Sequence, residues 1–149
     1  MGHFFSVCRR MGVYEYRGDV FSTPAGTAVA HCVSANLRMG RGFATLMRRQ
    51  DLVDLRRQRV PVGGVAVGYQ DGRLVFNLVT KWHHSDKPTL AAIRQSLIEF
   101  RRLCYEYNVR DVCCPAIACG LDGHKWLTIR EVLHELFWNS EINIHVYHL

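Results

Sequence analysis

The sequence predicts an α/β protein, with a three-layer α/β/α fold around a mixed central sheet. Three observations lead there. Apolar strand-like runs alternate with helical repeats along the chain, as at residues 28–33, 90–107 and 112–119. Residues 28–33 are apolar almost without a break, as in a strand buried on both faces. Asp71-Gly72, a dipeptide favoured in tight hairpin turns, joins two further strand-like runs and adds an antiparallel pair.

Each element has its own signal. Residues 11–17 alternate through Val13, Tyr14 and Tyr16 as an opening strand, which Gly18-Asp19 breaks. After the buried strand at 28–33, residues 43–49 read as helical, and 51–59 extend them as a short charged helix closed by Pro61 and Gly63-Gly64. Residues 65–69 and 74–80 form the hairpin. Pro88 begins the longest helix, with Leu90, Ile93, Leu97, Phe100, Cys104 and Tyr107 at steps of three and four and arginines on the other face. Residues 112–119 are the next strand. A last helix carries Ile129, Val132, Leu133, Leu136 and Phe137, with Thr128 to Glu131 fitting a capping box, and Ile142, Ile144 and Val146 alternate in a C-terminal strand.

At 149 residues and 48% hydrophobic, the chain holds one core and is too short for two ordinary domains. Residues 1–10 read as an extension and 11–149 as the domain. No stretch approaches the roughly 20 apolar residues of a membrane span, and no secretory signal opens the chain, so a soluble, intracellular monomer of the cytoplasm or nucleus is expected. Met1-Gly2-His3-Phe4-Phe5-Ser6 fits the N-myristoylation pattern, with Cys8 and Arg9-Arg10 as a second membrane signal, although His3 fits poorly. A tail or an extra strand is the ordinary alternative. Six cysteines fall mostly in apolar runs without paired ligand spacing, which predicts reduced core thiols and no metal.

A net charge of +6 points to anionic partners: phosphates, pyrophosphates or nucleic acid. Arg48, Arg49, Arg56, Arg57 and Arg59 gather within one segment, a possible contact for RNA or DNA or simply a solvated helix face; aromatic residues are hardly interleaved there.

Against sixteen arginines stand only three lysines, and one of them, Lys81, ends the buried run at 74–80. A desolvated lysine amine can become neutral and nucleophilic, which arginine cannot readily do; a stem covering the strand end with its ammonium in water is the ordinary reading. The run Pro115-Ala116-Ile117-Ala118-Cys119-Gly120-Leu121-Asp122-Gly123 is a second apolar strand that ends in a glycine loop and one carboxylate. Two such strand ends would put an amine and a carboxylate in the crevice where open α/β sheets hold ligands. Asp122 also reads as a turn or helix-entry residue. Asp19 is suited to an adenine amino group or to a turn, and Arg38 to Phe43 form a loop able to wrap a ribose or an anion. There is no Walker lysine loop and no G-x-G-x-x-G, so nucleotide hydrolysis and ordinary dinucleotide binding are unsupported.

Taken in order, Gly18-Asp19-Val20-Phe21, Ala30-His31-Cys32-Val33-Ser34, Arg38-Met39-Gly40-Arg41-Gly42-Phe43-Ala44, Leu78-Val79-Thr80-Lys81 and Cys119-Gly120-Leu121-Asp122 resemble the macrodomain family. The likeness is strongest to its terminal ADP-ribose protein glycohydrolases, also O-acyl-ADP-ribose deacylases, and extends from Met11 to Leu149. It implies an ADP-ribose pocket, no metal or organic cofactor, and removal of mono-ADP-ribose from acidic side chains of proteins. By this likeness Asp19 and Val20 hold the adenine, with Tyr147 and Leu149 at that end. Ser34 and the loop of Met39, Gly40, Gly42, Phe43 and Ala44 line the distal ribose beside Thr80, and Ala116, Ile117, Ala118, Cys119, Gly120 and Leu121 wrap the pyrophosphate. Lys81 matches the nucleophilic lysine and Asp122 its acid/base partner. The chain departs from the family at Ala118, where glycine is common, at Ala116, where arginine is frequent, and at Arg41, where a small residue is usual. A non-catalytic ADP-ribose reader, or a module acting on ADP-ribosylated nucleic acid, are the competing readings.

Overall fold

The computed structural model describes residues 12–149. Six strands, β1 (Val13–Arg17), β2 (Ala28–Ser34), β3 (Val65–Gln70), β4 (Arg73–Lys81), β5 (Asp111–Pro115) and β6 (Asn143–His148), form one sheet in the order β1-β6-β5-β2-β4-β3. All neighbours are parallel except β3 and β4, so the sheet is mixed as expected. The antiparallel pair exists because Asp71 and Gly72 adopt φ of 53° and 78°, the two positive values a primed hairpin turn requires. The opening strand's Met11 and the myristoylation pattern lie outside the described residues.

Helices α1 (Leu52–Arg57), α2 (Leu90–Glu106) and α3 (Trp126–Phe137) and two 3-10 segments, Val20–Ser22 and Gly42–Met47, cover the sheet. Side chains of a strand point alternately to opposite faces, and the core divides accordingly. Ala28, Ala30, Phe76, Leu78, Cys114, Ile144 and Val146 face α2 and α3, where Ile93, Leu97, Phe100, Ile129, Leu133 and Phe137 are buried. On the opposite face, Val29, Val75 and Cys113 pack with Val20 and Met47, and Val33, Ala66 and Val79 pack with Leu37, Met39 and Leu55.

Between those two clusters the second face holds a buried polar network. Asn77 on β4 accepts through Oδ1 from His31 Nε2 at 2.6 Å and from Gln50 Nε2 at 2.9 Å, and donates to Gln50 Oε1 and to the Ala66 carbonyl. Gln50 also donates to the Met47 carbonyl, and Gln70 binds the Leu46 carbonyl and the Arg49 N–H. These amides pin the segment after β2 to the sheet. Gly68 makes room for them, since a Cβ there would lie 2.2 Å from Gln50 Oε1.

Several boundaries differ from the sequence reading. β5 stops at Pro115 rather than running to residue 119, because proline offers no ladder N–H and Ala118 turns the chain at a φ of 61°. α3 begins at Trp126, which packs against the core, so Thr128 lies inside the first turn and caps nothing. The cap of α2 is Thr89, whose side chain accepts from Ala92 N–H at 3.0 Å, leaving Pro88 just outside. Residues 43–49 give a 3-10 segment that ends at Met47 instead of an α-helix. Among the described residues no helix is long and apolar enough to cross a membrane.

Gly12 leads into β1 at a φ of 67°, and a Cβ on it would sit 2.0 Å from the Phe137 carbonyl oxygen at the end of α3. Gly12→Ala is expected to lower the unfolding free energy by roughly 3 kcal/mol from clash and backbone strain together, checked by urea denaturation.

Candidate active site

From β2 the chain moves toward β3 and β4, whereas from β5 it moves toward β6 on the other side. Outgoing connections therefore diverge between β2 and β5, and a crevice opens beyond the carboxyl ends of the strands. A cleft of about 510 Å³ fills it. β2 delivers Ser34 to its floor, β4 delivers Lys81 to its edge, and the loop after β5 forms a wall.

The two groups singled out in the sequence meet here. Lys81 Nζ donates to Asp122 Oδ1 at 2.7 Å, with the side chains only 15% and 14% exposed. Asp122 is not a helix-entry residue, because the cap position of α3 is Lys125. The turn that carries it is closed by Gly123 N–H to the Gly120 carbonyl and His124 N–H to the Ala118 carbonyl. At the end of β2 the register shifts between Val33 and Ser34, so that Ser34 aligns with Lys81 and Ala35 N–H bonds the Lys81 carbonyl at 2.8 Å. Thr80 is buried behind Lys81. A protonated amine in this pair has its proton acceptor already in place.

Two walls flank the pair. Met39, Gly40, Gly42, Phe43 and Ala44 form one, and Ala116, Ile117, Ala118, Gly120 and Leu121 the other. Cys119 turns toward the core beneath its wall. Asp19, Val20, Tyr147 and Leu149 stand outside the cleft: Asp19 accepts from Phe21 N–H at 2.9 Å as a turn residue, Val20 and Tyr147 pack with Phe21 and Phe43, and Leu149 is 98% exposed. The segment after Lys81 was missed. His84, Ser85, Asp86 and Lys87 line the cleft mouth, a placement signalled only by their position between the strand end and Pro88. His31 and Cys32 line the floor, where strand alternation sends them to opposite faces of the sheet.

Burial sets the charge state of the floor. It pushes the Cys32 thiol up to about 12, with the Asp122 carboxylate adding to the effect, and it also raises the Cys119 thiol. Neither sulfur is a thiolate at neutral pH. Burial also lowers His31 to about 4. The ring is therefore neutral, donating from Nε2 to Asn77, which cannot donate from the oxygen that Gln50 also uses. No group of three or more His, Cys, Asp or Glu gathers to hold a metal among the described residues.

The fold is that of a macrodomain. It superposes on the macrodomain of Mycobacterium tuberculosis DarG with a TM-score of 0.78 at 25% identity, over 91% of this chain and 96% of that one. Thermosipho africanus DarTG in complex with ADP-ribose gives a TM-score of 0.78 at 18% identity, over 92% of this chain and 41% of that one. The ADP-ribose glycohydrolase OARD1 of Homo sapiens is 36% identical over 135 residues, 89% of each chain. No family model matches. The chain belongs to the macrodomain family, in its ADP-ribose glycohydrolase branch.

Two outcomes follow from the walls and the floor. Ala118 holds a left-handed φ of 61° without being glycine. Ala118→Gly relieves roughly 1 kcal/mol or more of backbone strain, partly offset by the freer unfolded chain, so unfolding experiments should show a net gain of about 0.5 kcal/mol. His31 is lowered on folding from 6.5 to about 4. The unfolded chain then binds the extra proton between those values, so stability is whole above pH 6.5 and falls as the pH drops toward 4, by about 3 kcal/mol in total. His31→Gln should flatten that part of the pH profile of unfolding free energy.

Proposed function

We propose that this macrodomain removes mono-ADP-ribose from acidic side chains of proteins, with O-acyl-ADP-ribose as a second substrate, and that Lys81 is the nucleophile and Asp122 the acid/base. One observation carries the reading: an amine and a carboxylate in direct contact, mostly buried, at the strand-end cleft of a chain related to ADP-ribose glycohydrolases. The relatives' names and the ADP-ribose complex of a structural neighbour supply the ligand class.

In this mechanism Lys81 gives a proton to Asp122 as substrate binds. The free amine attacks the anomeric carbon of the distal ribose; the carbon–nitrogen bond forms while the bond to the ester oxygen breaks, and its electron pair leaves with the carboxylate, which takes the proton from Asp122 and so returns Asp122 to its basic form. Water then attacks the same carbon with Asp122 taking its proton, the carbon–nitrogen bond breaks, and the amine is reprotonated from Asp122. The products are ADP-ribose and the free acidic side chain. Ser34 and the wall from Met39 to Ala44 flank the sugar, and Ala116 to Leu121 approach the pyrophosphate. Asp19, Val20, Tyr147 and Leu149 would serve the adenine from outside the cleft proper.

Lys81→Ala should abolish turnover of a glutamate-linked mono-ADP-ribosyl protein, by about a thousandfold or more, while ADP-ribose binding measured by calorimetry survives. Asp122→Asn should slow turnover by roughly a hundredfold or more. Reduction of the wild-type protein mixed with ADP-ribose should leave a covalent adduct on Lys81 by mass spectrometry. Retained hydrolysis by the Lys81→Ala variant, with no adduct on the wild type, would assign the cleft to a reader instead.

A further inference from the structure

Loop 82–88 leaves the strand end that carries Lys81, and loop 116–125 leaves β5 and carries Asp122. The two loops are joined at three places. Besides the contact between Lys81 and Asp122, Lys87 Nζ donates to the Leu121 carbonyl at 2.5 Å, and His124 Nε2 donates to the Pro88 carbonyl at 2.8 Å. Lys87 is aimed inward by the turn before it, in which Asp86 Oδ2 accepts from His83 N–H and Asp86 N–H donates to the His83 carbonyl, each at 3.0 Å. Leu121, the residue whose carbonyl Lys87 holds, is the neighbour of Asp122 in the chain, and its side chain reaches the opposite wall: a Cβ on Gly42 would lie 3.6 Å from Leu121 Cδ1. Lys87 thus grips the one residue that both spans the cleft and is bonded to the acid/base carboxylate.

We infer that Lys87 is a positioning residue, a latch that fixes the Leu121 carbonyl and through it the Asp122 carboxylate beside Lys81, with His124 as the second tie. This rests on the hydrolase reading above for its consequence and on the hydrogen bonds alone for its existence. Asp122 has no helix of its own to hold it, since α3 begins only at Trp126 and Leu121 is largely exposed. Its backbone is fixed by the turn bonds of residues 118–124 and by these two ties. A shift of about 1 Å in a reacting group is enough to cost on the order of a hundredfold in rate. Lys87 also lines the cleft mouth, so a direct ionic contact with substrate is the rival role, and it has a different kinetic signature.

The test uses Lys87→Met, which keeps the stem and removes the donor, and Lys87→Arg, which keeps a charged donor. Amide hydrogen exchange of ligand-free protein reads the latch without turnover: Lys87→Met should speed exchange at residues 118–124 about tenfold while the amides of β4 keep their rates, and Lys87→Arg should restore slow exchange. Steady-state hydrolysis reads its consequence: kcat falls about tenfold in Lys87→Met with KM within threefold of wild type, and Lys87→Arg recovers most of it. Unchanged exchange overturns the latch, and so does a rise in KM with kcat intact, which would make Lys87 a substrate contact. If the wild-type protein itself fails to hydrolyse the substrate, the hydrolase reading falls and the exchange result alone decides the latch.

Discussion

The contact between Lys81 and Asp122 is the constraint that the rest of the molecule serves. The two residues are 41 positions apart: Lys81 ends β4 and Asp122 lies in the loop after β5, and these two strands flank β2. They meet because β2 gives way to a turn directly after Ser34, marked by the Leu37 N–H bond to the Ser34 carbonyl, so that β4 and the loop after β5 can converge over its end. Taking both charges out of water costs about as much as their attraction returns, so such a pair adds little to net stability. A use in chemistry explains its place better than a use in holding the fold.

What holds the site is beneath and around it. The Asn77, His31 and Gln50 network lies under one wall and ties the segment after β2 to the middle of the sheet. Every bond in it is between neutral groups, because burial keeps His31 unprotonated, and a neutral network orders a face without the penalty of a buried charge. Both walls also store strain. Ala118 sits at a positive φ, as do Leu37 and Met39 near the first wall, and non-glycine residues hold such angles only where the surroundings fix them. Leu37, Met39 and Ala118 bend the chain beside the cleft, whereas Arg59, Asp71 and Asn108 take the same region elsewhere. Departures of this sequence from its family thus have a physical expression: alanine at 118 keeps the turn that glycine would make more easily.

Burial also sets the protonation state of the sulfurs near the cleft. Two thiols, Cys32 and Cys119, lie close to the pair, yet burial holds both in the protonated form. The basic character of the chain reaches the mouth as well, through Arg41 and Lys87, with Asp86 as the one acidic group among the mouth residues 84–87, while the arginines of residues 48–59 are exposed and line no part of the cleft. Positive charge at an entrance favours the approach of anionic ligands over long range without taking part in the reaction.

The sequence by itself determined the layers, the hairpin and the two residues that meet in the cleft, Lys81 and Asp122. Consecutive apolar residues, the Asp71-Gly72 turn and the steps of three and four in α2 are local signals, and each follows from backbone geometry that a few neighbouring residues dictate. The same holds for Lys81, conspicuous as a scarce lysine after a buried run, and for Asp122 in its glycine loop. Local patterns did not give the start of α3 at Trp126 or the place of Val20 and Tyr147 outside the cleft, because those depend on packing against residues far along the chain; the end of β5 at Pro115 follows instead from the proline and the turn at Ala118. Nor did they reveal Lys87, His124 or His31, whose roles consist of bonds to the Leu121 and Pro88 carbonyls and to Asn77. A residue's type is written in the sequence, but the partner across a sheet or between two loops is chosen only when the strand order brings them together.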